Sequence, residues 1–131
     1  MLRILSFTKT GTELNEKLCK KLNNDFCEGY APKRILGRNE ELTYLPENIP
    51  EWIQEHWSVD DFLFIGATGI AVRMIAPSVK DKYTDSAVLV MDEKAQHIIP
   101  LLSGHMGGAI PLAEQIADIT GAIPVITTAT D

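Results

Sequence analysis

The feature that most restricts the fold of this chain is the run Asp61-Phe62-Leu63-Phe64-Ile65-Gly66-Ala67, continuous in apolar residues and closed by glycine. An uninterrupted strand-length run of this kind, without in-out alternation, belongs to a central parallel strand covered on both faces. The next segment, Gly69 to Ser78, carries Ile70, Met74 and Ile75 at helical spacing and is stopped near Pro77. A buried strand turning straight into a helix is the unit from which α/β sheets are built.

The flanking segments repeat that logic. Arg3 to Thr8 reads as a first strand, and the following helix carries Leu14, Leu18 and Leu22 every four residues, with Thr10 or Thr12 as its cap. From Asn23 to Pro50 glycines and prolines interrupt every short stretch, which predicts one short strand and loops. Pro50 to Trp57 predicts a short helix with proline in its first turn, burying Trp52, Ile53 and Trp57. Ala87–Met91 and His97–Leu102 are two strands joined by the polar Asp92–Gln96, a link short enough to require an antiparallel hairpin. A helix opened by Gly107-Gly108 follows, with Leu112, Ile116 and Ile119 inward, Ala109, Ala113 and Ala117 for close packing, and Gly121 at its end. Ile123 to Ala129 is the last strand. The expected fold is a doubly wound, mainly parallel α/β sheet with helices on both faces and one antiparallel hairpin, a single domain over residues 1–131.

Bulk properties exclude several functions. A net charge of −6 argues against nucleic acid as a partner, since phosphate binders carry a basic face. No apolar run approaches the roughly 18 residues of a membrane span, so no membrane partner is expected. The start, Met1 to Phe7, meets Lys9 and Glu13 too early to be an export signal. Cys19 and Cys27, seven residues apart between them, match no common metal spacing and read as structural free thiols. The expectation is a cytoplasmic protein with no metal site of its own. His56 and His97 read as surface or structural residues.

Chemistry gathers in two glycine-rich turns, expected to form one polar anion-accepting site. In Gly66-Ala67-Thr68-Gly69 a strand ends at a helix N-terminus, where free N–H groups and the helix dipole converge on an anion. A plain tight turn fits the spacing equally, and the dinucleotide and P-loop patterns are incomplete. A nucleotide or phosphate binder is therefore a reading from fold alone. Arg73, one helical turn after Gly69, can point back and grip a carboxylate through two hydrogen bonds. Lys82 and Asp85 fall in the loop before the next strand. In Ser103-Gly104-His105-Met106-Gly107-Gly108 a strand delivers serine and histidine into a glycine loop, where histidine can act as acid or base beside exposed N–H groups. A histidine bonded to loop carbonyls is the equal alternative. Thr127, Thr128 and Asp131 would lie at the carboxyl edge of the last strand, the usual ligand edge.

Gly66 to Arg73, Lys82 and Asp85, Leu101 to Ala109, and Thr127 to Asp131, in this order, resemble the CbiG family of cobalamin-biosynthesis proteins. The resemblance covers Phe64 to the end, and it departs at Ile110, where the family more often has asparagine, and at Ser86, where proline is usual. It implies cobalt-precorrin-5A hydrolase activity, a hydrolase acting on carbon-carbon bonds that opens a δ-lactone and releases acetaldehyde. The implied substrate is a cobalt-containing polycarboxylate tetrapyrrole, with the cobalt carried by the substrate and no cofactor held by the protein. Catalysis would fall to His105 and Ser103, and substrate binding to Gly66, Thr68, Gly69, Arg73, Lys82, Asp85, Gly104, Gly107, Gly108, Thr127, Thr128 and Asp131. The resemblance also implies that this chain is the N-terminal part of a longer protein. A C-terminal domain would then be its partner, and in the alternative it holds the catalytic groups while this domain only binds the corrinoid.

Overall fold

The computed structural model describes residues 1–23, 26–38 and 41–128. Its elements are β1 (Leu2–Ser6), α1 (Lys9–Leu22), β2 (Cys27–Ala31), the one-turn α2 (Lys33–Leu36), β3 (Thr43–Tyr44), α3 (Ile49–His56) and β4 (Asp61–Ile65). After them come α4 (Thr68–Ile75) with a 3-10 turn over Ala76–Ser78, β5 (Val88–Met91), β6 (His97–Leu102), α5 (Ala109–Thr120) and β7 (Ile123–Pro124). The strands form one sheet in the order β3-β2-β1-β4-β5-β6-β7. All neighbours pair parallel except β5 with β6, so β6 and β7 run against the other five strands.

β4 is central, as its sequence requires, and each of its apolar side chains has a defined face. Leu63 and Ile65 join the core under α1 and α5, together with Leu18, Ala113 and Ile116. Phe62 and Phe64 join the opposite core under α3 and α4, with Ile53, Ala71 and Ile75. Burying each such large side chain contributes about 1.5–3 kcal/mol, which explains why a strand covered on both sides reads as a solid apolar run.

Local chemistry moved some boundaries. α1 begins earlier than its leucine stripe suggests, because Thr8 caps it by accepting from Gly11 N at 3.0 Å. Thr12, one of the caps expected, is instead buried against Ser6 Oγ. The region after Asn23 holds two strands and a helical turn rather than one strand, since pairing with β1 supplies order that periodicity does not show. Ile70 faces solvent, whereas Ala71 and Ile75 are the buried residues of α4. The last strand is only two residues long. Asp131, and Ala129 and Thr130 of that ending, lie outside the described residues.

Polar groups tie the sheet to its helices. Asn15 Nδ2 lies 3.1 Å from Ile4 O, Ser6 Oγ and Tyr30 O, joining α1 to β1 and β2. Asp60 receives Arg3 Nη2 at 2.9 Å, the Met1 ammonium at 3.2 Å and His56 Nδ1 at 3.1 Å. Burial alone would raise the Asp60 pKa, but hydrogen bonds from Arg3 and the N-terminus outweigh it and hold it below the usual value. Cys19 and Cys27 are both buried and free, and burial pushes the Cys19 thiol up to about 12.

Candidate functional site

The two glycine-rich turns lie at opposite edges of the sheet, which overturns their expected union in one site. Gly66 follows the carboxyl end of β4, and its N–H donates to Met91 O at 2.8 Å. Ser103 follows the end of β6, where Leu102 pairs with Val88 at the amino end of β5. The five residues of β4 separate these edges by roughly 16 Å at about 3.3 Å per residue. The cause is the hairpin: once β6 runs antiparallel, its carboxyl end and everything after it reach the amino edge of the parallel strands. Thr127 and Thr128 follow β7, which pairs parallel to β6, so they too sit opposite the usual ligand edge.

At the carboxyl edge, β1 has β2 on one side and β4 on the other, so the winding direction reverses between β1 and β4. Crevices at such a reversal are where open α/β sheets hold ligands. Gly66, Thr68 and Gly69 border this place, with Phe7 against Gly66. The first turn of α4 is exposed and has no side-chain cap. Arg73 folds back over it, its Nη1 3.2 Å from where a Gly69 Cβ would stand. Thr8 closes the far side, donating to Glu93 Oε2 at 2.6 Å.

At the amino edge, the loop Ser103–Gly108 folds on itself. Ser103 O accepts from Gly107 N at 3.1 Å and Ala109 N at 3.2 Å. A Cβ on Gly107 would lie 2.5 Å from Ser103 Cβ, so only glycine lets the loop close. Gly108 takes φ 84 at the N-cap of α5. The N–H groups of Gly104, His105, Met106 and Gly108 have no acceptor among the described residues, whereas that of Gly107 is already engaged. His105 is exposed and has no hydrogen-bond partner among the described residues, so neither ring nitrogen is held. Ser103, at φ 59, donates its hydroxyl to Asp85 O at 3.0 Å and makes no contact that would activate it as a nucleophile. Thr128 borders Gly104, its Cγ2 3.6 Å from an added Cβ there, and Ile110 packs closer still.

The neighbouring loop presents Lys82 and Asp85 very differently. Lys82 is exposed and lies over the Tyr83 ring, 5.1 Å from its centroid. Asp85 is buried, and its carboxylate accepts from Trp57 Nε1 at 2.9 Å, from Lys80 N at 3.0 and 3.1 Å, and from Asp81 N at 3.1 Å. Sequence spacing missed this because the indole donor sits 28 residues away. Ser86, at the position of a family departure, accepts from Ser58 N at 2.8 Å and so holds the same loop to the end of α3.

Fold and site together define a doubly wound α/β domain with polar glycine loops at both sheet edges. Residues 51–131 match the family described as "Cobalamin synthesis G N-terminal", and the chain belongs to that family. A cobalt-precorrin-5A hydrolase from Salmonella typhimurium is 64% identical over 69 residues, 53% of this chain and 20% of that protein. One from Priestia megaterium is 50% identical over 74 residues, 56% of this chain and 20% of that protein. The matched stretch is thus about a fifth of these relatives' length. A crystal structure of a cobalamin biosynthesis protein G homolog from Sulfolobus solfataricus superposes with TM-score 0.72 at 26% identity, covering 96% of this chain and 36% of that one. Among the described residues no helix is long and apolar enough to cross a membrane.

Proposed function

We propose that this chain is the N-terminal part of a cobalt-precorrin-5A hydrolase, a cytoplasmic enzyme acting on carbon-carbon bonds that opens the δ-lactone of the macrocycle and releases acetaldehyde. The observation that carries the assignment is the amino-edge loop Ser103–Gly108, where, among the described residues, four N–H groups have no acceptor and stand beside a histidine with no partner. Lactone opening requires a base for water and donors for the developing oxyanion. His105 takes the proton of the attacking water while amides of the Ser103–Gly108 loop receive the carbonyl oxygen; the acyl C–O bond breaks, and the ring oxygen leaves as an alcohol bearing that proton. Loss of the alcohol's proton then breaks its C–C bond to the macrocycle, which releases acetaldehyde and returns a proton to the ring carbon. Ser103 shapes the loop through its bond to Asp85 O. Lys82 and Tyr83, exposed beside the loop, offer a cation and a ring face to a flat polycarboxylate macrocycle. The carboxyl-edge set of Gly66, Thr68, Gly69 and Arg73 takes a different carboxylate, either of the substrate's periphery or of another anion. Cobalt enters with the substrate, and no cofactor of the protein's own is required.

A second reading is favoured by two observations: the matched stretch is about a fifth of the relatives' length, and nothing among the described residues orients His105. There the domain holds the corrinoid and a C-terminal domain supplies the catalytic groups. Incubating the chain with cobalt-precorrin-5A and assaying acetaldehyde decides between them. Release that falls at least 100-fold in His105→Ala, with binding retained, supports the first reading. Binding without release supports the second, and neither binding nor release overturns both.

A further inference from the structure

Asp85 is a buried carboxylate lodged between two loops, and the groups that hold it come from its own loop and from the end of α3. On one side its oxygens gather the amides of Lys80 and Asp81, closing the loop that carries Lys82 and Tyr83. On another they take the indole N–H of Trp57, from the residue capping the end of α3. Its own carbonyl accepts the Ser103 hydroxyl, and Ser103 is the residue on which the Ser103–Gly108 loop folds back. Trp57 is in turn fixed by stacking on Phe62 of β4, with ring centroids 5.9 Å apart. Rigid core therefore connects through indole, carboxylate and peptide to a serine in the left-handed region.

We propose that Asp85 is a positioning residue, which with Trp57 locks the Lys80–Tyr83 loop to the Ser103–Gly108 loop and so aims the amides of Gly104, His105, Met106 and Gly108. This rests on the reading of the amino edge as the reaction site. Asp85 touches no reacting atom in this role. Left-handed backbone at a non-glycine residue persists only where its surroundings hold it: the Asp85 carbonyl holds the Ser103 hydroxyl, and the amides of Gly107 and Ala109 hold its carbonyl. Asparagine cannot replace the carboxylate, because one of its two terminal atoms becomes a donor facing the amides of Lys80 and Asp81.

The test has two arms. In hydrogen exchange of the 131-residue chain, Asp85→Asn speeds exchange of the Gly107 and Ala109 amides at least 10-fold while those of β1 and β4 stay unchanged; Trp57→Phe does the same to a smaller extent. In acetaldehyde release, Asp85→Asn lowers kcat at least 10-fold, a larger change than the rise in KM that comes from loosening the Lys82–Tyr83 loop, and Asp85→Glu recovers part of the loss. Unchanged exchange at Gly107 and Ala109 in a folded Asp85→Asn overturns the lock. Altered exchange with kcat unchanged overturns the positioning role. Should Asp85→Asn not fold, Trp57→Phe carries both readouts, with a 3-fold change in exchange and in kcat as the criterion. If the unsubstituted chain releases no acetaldehyde, the functional reading fails by itself, and the exchange arm still decides whether the lock exists.

Discussion

Gly107 shows how much one missing Cβ can decide. An added methyl would meet Ser103 Cβ at 2.5 Å and Ser103 O at 2.9 Å, and the latter is backbone that cannot step aside. Gly107→Ala is therefore expected to destabilise the chain by about 1–3 kcal/mol, the usual cost of overpacking, read as a lower urea midpoint with unchanged m-value. Gly104→Ala meets side chains alone, Ile110 Cδ1 at 3.1 Å and Thr128 Cγ2 at 3.6 Å, and should cost less. The need for glycine was legible in the sequence, but its reason was not. The sequence suggested glycines that expose N–H groups to a ligand and open a helix, whereas at Gly107 the missing Cβ makes room for the loop's own serine. Asp85 is the sharper case. Its place in a polar loop was ordinary and the resemblance implied substrate binding, and its burial depends on an indole donor that no local pattern reveals.

At the scale of elements, β1, α3 and β4 are joined at the amino edge by the ion cluster around Asp60. Arg3 belongs to β1, His56 ends α3, and Asp60 immediately precedes β4. Because the folded pKa of Asp60 is held below an ordinary value near 3.8, the folded state binds its proton less readily than the unfolded chain. Its stabilising contribution is thus complete above about pH 4 and is lost as pH falls through the folded value. Asp61, whose pKa burial raises, acts with the opposite sign over the acid range. Comparing Asp60→Asn with the parent cancels that term apart from the part the Asp60 charge itself contributes to it. The variant should be less stable at pH 7 by on the order of 1–3 kcal/mol, having left Arg3 with only the more distant Glu28 carboxylate at 3.6 Å. That gap, measured by urea unfolding, should shrink as pH falls below about 4; a gap constant down to pH 2 would contradict the assignment. α5 illustrates the opposite situation, in which local signals sufficed. Its glycine at each end and its small-residue face marked the helix closely, and Gly121 caps it at φ 81 as that pattern requires.

Over the whole molecule, the separation of the two turns is the finding with most bearing on function. With β4 between them, the Arg73 turn and the His105 loop cannot hold one small group between them. Substitutions at sites this far apart with no shared partner add within about 0.3–0.5 kcal/mol. Arg73→Ala and Lys82→Ala, the latter beside the His105 loop, should therefore weaken corrinoid binding additively in a double-mutant cycle read by titration calorimetry. A coupling above about 1 kcal/mol would mean that the two residues share a single pocket after all.

The sequence by itself determined what local physics controls: the strand–helix alternation, the central place of the Asp61–Ala67 run, the hairpin, the ends of α5, and the return of Arg73 over Gly69. Each follows from side-chain periodicity, from the φ freedom of glycine, or from contacts within one helical turn. Only the tertiary structure decided which loops share an edge and which polar residues are buried between them. Edge identity depends on the direction in which β6 pairs, and one antiparallel step reverses the destination of every later residue. The fixing of Ser103 through Asp85 likewise depends on Trp57, Lys80 and Asp85 being brought together by packing, which no spacing along the chain encodes.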